Sequence, residues 1–248
     1  MPDPIQAGLW GLAAASSLII GGIAGVALDV PRRMVALIMG FGAGALISAL
    51  AFDLTEESFQ RGGALPTAIG LAAGAATYFV GATLLNRRAR RRAREPVDRG
   101  SIAPTSGPAI VLGTLLDGLP ESIVLGATLL GGAGVSVSLL AAIFLSNVPE
   151  GVAGGRDLSD EGHPRGFVIG LWVGVAIASG LAAGLGNALL TGVDSWAVAL
   201  VQAFAGGAIL TMLADTMMPE AFENGGDAVG LATVLGFAAA FFLSTLGA

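Results

Sequence analysis

The chain has 248 residues, of which 54% are apolar and 12% charged, with 39 glycines, no cysteine and a formal net charge of -6. A soluble domain carries about 25% charged residues, so this composition excludes a water-soluble enzyme. The lack of cysteine excludes disulfide scaffolds and thiolate metal sites, and the acidic balance argues against a nucleic acid partner. The expected partner is the lipid bilayer, with the chain folded as a single transmembrane bundle.

Eight apolar stretches are long enough to cross a bilayer as helices, which requires about 20 residues each. Turns interrupt them, among them 29–33 and the glycine-rich segment 131–134, and a polar loop spans 156–165. The first stretch has no basic start and is too long for a cleaved signal peptide, so we expect it to remain as a span. We therefore predict an all-α polytopic membrane protein. The predicted spans are about 6–28, 34–58, 65–86, 107–130, 136–156, 166–190, 194–220 and 228–247.

The arginines predict the orientation of these spans. All 12 basic residues are arginine. Eleven of them lie at or in the loops after spans one, three and five, and Arg61 is the exception. Most of the others lie in the segment 87–106, which we predict to be a basic cytoplasmic loop. The positive-inside rule then places both termini outside the cell. A chain rich in alanine, glycine and arginine and devoid of lysine also favours a prokaryotic cytoplasmic membrane.

Acidic residues lie in the predicted spans with no mid-span lysine or arginine to neutralise them. A buried carboxylate without a basic partner is protonated, hydrated or bound to a cation, and ionisable groups within spans are usually functional. We predict a central set in spans four and five and an outer set along a cation pathway. The outer set is Asp53, Glu56 and Glu57 late in span two, and Asp215, Glu220 and Glu223 late in span seven.

Spans four and five contain the same motif, 29 residues apart. Leu116-Asp117-Gly118-Leu119-Pro120-Glu121 corresponds to Leu145-Ser146-Asn147-Val148-Pro149-Glu150. Asp117 and Glu121 are four residues apart and share a helix face, as do Ser146 and Glu150. Two such helices facing each other offer carboxylate, amide and hydroxyl oxygens, which suit divalent cations. The alternative is a pair of packing helices whose acids stay protonated. The predicted metal ligands are Asp117, Glu121, Ser146, Asn147 and Glu150.

A second repeat aligns residues 41–63 with 204–226, without gaps, at an offset of 163. The two segments would cross the membrane in opposite directions, as would spans four and five. Inverted repeats are typical of secondary transporters, whose substrate site lies near the midplane. We therefore predict a 3+2+3 inverted-repeat arrangement. The identical residues in the first segment are Phe41, Gly44, Ala45, Leu50, Ala51, Glu57, Phe59, Gly62 and Gly63.

The paired motifs resemble those of the ZIP (Zrt/Irt-like) metal transporter family, in which His-Asn-x-Pro-Glu-Gly in span four precedes a polar pair and x-Pro-Glu in span five. The segment 214–221 is similar to span seven of prokaryotic members, and the eight-span layout matches the family. The resemblance implies a carrier rather than an enzyme. It would move a divalent metal ion, its substrate, into the cytoplasm, with Glu150 as a bridging ligand. A homodimer is a candidate assembly.

The chain departs from the family pattern at several ligand positions. Asp117 replaces the histidine and Gly118 the asparagine, and span six has no acid between 166 and 190, where only Ser179 or Asn187 could substitute. Because no nitrogen or sulfur ligand remains, although imidazole is a favoured zinc ligand, we expect one oxygen-only site for zinc, manganese or iron.

Two alternatives to a carrier stay open. One is a ZIP-fold relic or regulator, non-transporting or proton-coupled, with a degenerate metal site. The other is an intramembrane enzyme, although the spans lack both the paired aspartates of an aspartyl protease and the buried arginine or histidine of a lipid phosphatase.

Overall fold

The computed structural model describes residues 4–92, 107–131 and 134–246. Every regular element in these ranges is a helix, which confirms the predicted all-α class. Seven described helical stretches are long and apolar enough to cross a membrane, and the helix that carries the span-four motif is 22 residues long. Length and apolar composition therefore make this an integral membrane protein.

Each predicted span corresponds to one helix or to two helices joined by a π-helical segment. The ends agree within a few residues, except that the third span's helix continues to Arg92, so the first part of the predicted loop 87–106 is helical. The rest of that loop, 93–106, lies outside the described residues. The helices are α1 (Pro4–Ala27), α2 (Arg32–Ala49), α3 (Glu56–Gly62), α4 (Ala64–Arg92), α5 (Gly107–Thr128), α6 (Val137–Asp160), α7 (Arg165–Leu190), α8 (Ser195–Met212), α9 (Met218–Gly225) and α10 (Ala228–Leu246).

The π-helical segments are Leu50–Thr55, between α2 and α3, and Leu213–Met217, between α8 and α9. α3 and α9 then stop at glycines with positive φ, 82° at Gly63 and 66° at Gly226. Residues with a Cβ rarely adopt this backbone conformation. These two glycines therefore allow the sharp returns into α4 and α10.

The helices pack in two groups. In the first, α1 packs against α6 and α7, and α5 packs against α7; in the second, α2 packs against α10 and α4 against α8. Contacts of α2 with α6 and of α5 with α8 join the groups. The motif helices α5 and α6 therefore both belong to the first group and both reach the boundary with the second.

Glycines permit the closest contacts of the second group. A Cβ added at Gly44 of α2 would collide with the carbonyl oxygen of Thr233 in α10, and one at Gly207 of α8 would collide with that of Leu71 in α4. Small residues let helix backbones approach this closely in membranes, where van der Waals packing drives association.

The bundle has two ends, named here after one residue at each. At the Arg156 end, the guanidinium donates to the Val30 carbonyl and to the Asp29 carboxylate, both at 3.2 Å. At the Asp53 end, the Ser136 hydroxyl before α6 donates to the Asp53 carboxylate at 2.9 Å. The predicted cytoplasmic face is the Arg156 end.

Candidate metal site

A cavity of about 210 Å³ lies among α2, α5, α6 and the α8–α9 region. Glu121, Ser146 and Asn147 are buried there, with 2%, 5% and 5% of their surface exposed, while Asp117 and Glu150 are half-buried. The structure thus brings every predicted ligand to one cavity. Those five lining residues are Asp117, Glu121, Ser146, Asn147 and Glu150.

Helical spacing explains how the five side chains converge. α5 runs without interruption through Pro120, and α6 through Pro149. Asp117 and Glu121 are therefore one turn apart on one face of α5, and Ser146 and Glu150 are likewise placed on α6.

Threonine and tyrosine hydroxyls surround the carboxylates, and the sequence reasoning missed them. The Tyr78 hydroxyl of α4 donates to Oδ1 of Asp117 at 2.8 Å and lies 3.5 Å from the Thr216 hydroxyl. Thr114 lies one turn before Asp117 on α5 and lines the same cavity as Glu150. Thr114 could have been found from its i−3 position relative to Asp117. Nothing in the local sequence signals Tyr78.

Three methionines also line the cavity, and the sequence reasoning did not include them. Met39 comes from α2, Met212 from α8 and Met217 from the second π-helical segment. Thioether sulfur is a soft donor. The lining residues therefore include thioether side chains as well as oxygen-bearing ones.

The cavity is not a compact cluster of acids. Within the described ranges, no three histidine, aspartate or glutamate side chains form a group that could hold a metal ion. A cation here would therefore take a mixed set of carboxylate, amide, hydroxyl and thioether donors, with water as further ligands. Such a site would therefore have fewer than three acidic ligands.

The predicted span-six substitutes do not reach the cavity. Ser179 and Asn187 are both buried on α7, but neither lines the central space. The Asn187 amide instead donates to the Gly126 carbonyl at 3.0 Å. Its contact therefore joins α7 to α5 and serves packing.

A second cavity, of about 170 Å³, adjoins the first toward the Arg156 end. Met39 and Glu220 line both cavities. Polar groups of the second include Arg156, Asp157 and Asn224. Glu220 is exposed, and the two cavities meet beside this carboxylate.

The outer acids late in span two have partners of their own. Asp53 accepts hydrogen bonds from the hydroxyls of Ser136 and Ser138. Glu57 pairs with Arg61, with 2.6 Å between carboxylate oxygen and guanidinium nitrogen. The expectation that the acids lack a basic partner is therefore wrong for Glu57.

Two glutamine side chains also donate hydrogen bonds to these acids, one from α8 and one from within α3. Gln202 donates to Glu57 at 3.0 Å, and Gln60 donates to Glu56 at 2.7 Å. The i to i+4 spacing of Glu57 with Arg61, and of Glu56 with Gln60, is a signal that the sequence reasoning overlooked.

Of the six predicted pathway acids, Glu220 alone lines the two cavities described above. Asp215 and Glu223 are exposed on the π-helical segment and on α9. The three acids of span two lie toward the Asp53 end, apart from both cavities. The two cavities therefore place Glu220 between the central residues and the Arg156 end.

Compared with models of known protein families and with curated protein sequences, the chain matches none. Its functional assignment therefore depends on the residues and contacts described above.

Proposed function

We propose that the protein is a ZIP-like carrier that moves a divalent metal ion across the membrane toward the cytoplasm. One observation carries the proposal: the five oxygen-bearing residues of the paired motifs line a single cavity of about 210 Å³ inside an apolar helical bundle. A cation and several waters fit this space, since a water occupies about 30 Å³ in the liquid. Carboxylates at membrane depth typically face such cavities and mark ion pathways.

The donor set supports a borderline first-row ion as substrate. In the proposal, Asp117, Glu121 and Glu150 make the cavity negative without all three binding the ion, and Asn147 and Ser146 supply neutral oxygens. Magnesium and calcium bind oxygen alone, whereas thioether donors suit softer ions. The methionine side chains therefore favour zinc or iron(II) over magnesium and calcium, with manganese as the third candidate.

Matching element boundaries support an inverted repeat of three spans on each side of α5 and α6. α2 and α8 begin 163 residues apart, and so do the two π-helical segments and the two positive-φ glycines that follow. The matched helices α2 and α8 run in opposite directions through the bundle. The corresponding first residues and glycines are Arg32 and Ser195, Leu50 and Leu213, and Gly63 and Gly226.

Reciprocal packing supports the same repeat. α2 packs against α10 as α8 packs against α4. A Cβ built at Gly62 would lie 2.6 Å from the Cβ of Ala199, and one built at Gly225 would lie 3.1 Å from that of Ala36. Gly62 and Gly225 are 163 residues apart, and so are Ala36 and Ala199. The contacts between helices therefore repeat at the same offset as the helix boundaries.

We interpret the conformation as inward-facing. The second cavity adjoins the central one beside Glu220, toward the Arg156 end, which the positive-inside rule assigns to the cytoplasm. At the other end, the bonds of Asp53 to Ser136 and Ser138 connect the first π-helical segment to α6. Outward opening requires the two helix groups to separate there, which breaks these bonds.

Metal uptake into proteoliposomes tests the proposal, with zinc, manganese, iron(II) and cobalt offered in turn. The Glu150→Gln variant preserves shape but removes a charge from the cavity, and we expect its uptake to fall by about 10-fold or more. The Asp227→Asn variant is the control, because Asp227 is exposed in the turn before α10. Full uptake by Glu150→Gln would contradict the proposal.

A ZIP-fold relic or regulator, non-transporting or proton-coupled, is the second candidate. It is favoured by the observation that the described residues contain no group of three acids or histidines able to hold a metal. Calorimetric metal titration of the purified protein, run beside the uptake assay, separates the two. Binding without uptake of any of the four metals indicates a regulator, and absence of both indicates a relic.

A further inference from the structure

Tyr78 is the only tyrosine in the chain, and it lies beside the candidate metal site. Its side chain is 4% exposed. A buried phenol hydroxyl requires a hydrogen-bond partner. Here the partner is a predicted metal ligand, because the hydroxyl donates to Oδ1 of Asp117 at 2.8 Å.

We infer that Tyr78 is a positioning residue that holds Asp117 in place and restricts how its carboxylate binds the cation. This inference rests on the proposed function, because it concerns the same site. Tyr78 acts through Asp117 in this role and is not itself a ligand.

The restriction follows from which oxygen is used. Oδ1 of Asp117 accepts the Tyr78 hydrogen bond, so Oδ2 is the oxygen left for the ion and bidentate binding is disfavoured. Large cations such as calcium accept bidentate carboxylates and six to eight oxygens, whereas zinc is satisfied by about four ligands. The hydrogen bond therefore favours small cations over large ones.

The position of the hydroxyl connects three elements. Tyr78 belongs to α4 and Asp117 to α5, while Thr216, 3.5 Å from the hydroxyl, belongs to the second π-helical segment. α4 lies in one helix group and α5 in the other. A cation that binds Asp117 changes the charge next to the phenol, so the environment of Tyr78 must respond to binding.

Removal of the hydroxyl tests the positioning role. Hydrogen-bond partners of metal ligands change affinity by about 10–100-fold when mutated. We expect Tyr78→Phe to weaken zinc binding by about 10-fold or more and to narrow the preference for zinc over calcium, both measured by calorimetry on the full chain. Thr77→Ala is the matched control: it removes a hydroxyl from the adjacent, exposed position, where Thr77 bonds only to the Ala73 carbonyl of its own helix.

Fluorine NMR provides a second readout that needs no substitution. With one tyrosine in the chain, 3-fluorotyrosine labelling produces a single protein resonance. We expect zinc to shift this resonance in the unmutated chain and not in Asp117→Asn. The measurement does not depend on whether Tyr78→Phe folds.

The outcomes separate this inference from the proposed function. If the unmutated chain binds zinc while Tyr78→Phe keeps the same affinity and selectivity, or while the fluorine resonance stays in place, the positioning role is overturned and the carrier proposal stands. If the unmutated chain binds none of the metals, both are overturned.

Discussion

Glu121 is the most deeply buried acid of the candidate site. Its side chain is 2% exposed, and no ion pair among the described residues includes it. An isolated charge in an apolar interior is costly. The sequence was sufficient to predict that Glu121 lies at the site, because residues four apart, such as Asp117 and Glu121, share one face of a helix. The Tyr78 partner of Asp117 could not be predicted, because 39 residues separate the two.

At single-residue scale, Gly44→Ala tests the close helix packing. The added Cβ would collide with the Thr233 carbonyl, and we expect a loss of about 1–3 kcal/mol in unfolding free energy, measured by denaturant titration in detergent. Gly170→Ala is the control, since a Cβ at Gly170 in α7 meets nothing within 4 Å. Equal stability of the two variants would contradict the contact between α2 and α10.

At the scale of elements, the two π-helical segments are the feature that hydropathy alone did not reveal. A π-helical turn accommodates an extra residue inside a helix and often marks a functional position. Here the segments separate α2 from α3 and α8 from α9, and the second one contributes Thr216 and Met217 to the cavity. The repeat at an offset of 163 predicted that these regions correspond, but not their hydrogen-bond pattern.

Deletion of Ala214 tests the role of the second segment. Because a π-helical turn holds one extra residue, removing one residue returns the segment to α-helical spacing, so Thr216 and Met217 would no longer both face the cavity. We expect retained helical content, checked by circular dichroism, with metal uptake reduced by about 10-fold or more. Ala214→Leu keeps the register at this exposed position and serves as the control. Uptake by the deletion variant equal to that of Ala214→Leu would argue against a functional register.

At the scale of the whole molecule, the candidate site lies where two helix groups meet. α5 and α6 supply the motif residues from one group, while α2 and the α8–α9 region complete the cavity from the other. Hydrogen bonds join the two groups at Asp53 on one end and at Tyr78 in the centre. In the carrier that we propose, alternating access would require one group to move relative to the other.

Cysteine labelling tests the predicted orientation, since the chain contains no cysteine of its own. Ser195→Cys lies at the start of α8 near the Asp53 end, and Asp227→Cys lies before α10 near the Arg156 end; both positions are exposed. In intact cells, a membrane-impermeant maleimide should label Ser195→Cys and should reach Asp227→Cys only after lysis. The reverse pattern would overturn the orientation and, with it, the inward-facing interpretation.

The sequence by itself determined the helical class, most span ends to within a few residues, and five of the residues that line the central cavity. These properties depend on local composition and on the helical repeat, which relates residues three and four apart. Only the tertiary structure decided the rest: the π-helical segments, the methionines at the cavity, Tyr78 beside it, and the side on which the second cavity adjoins it. Most of these features depend on contacts between helices that are distant in the chain. The energy of such contacts depends on the packing geometry of the folded protein, which cannot be derived from the order of residues.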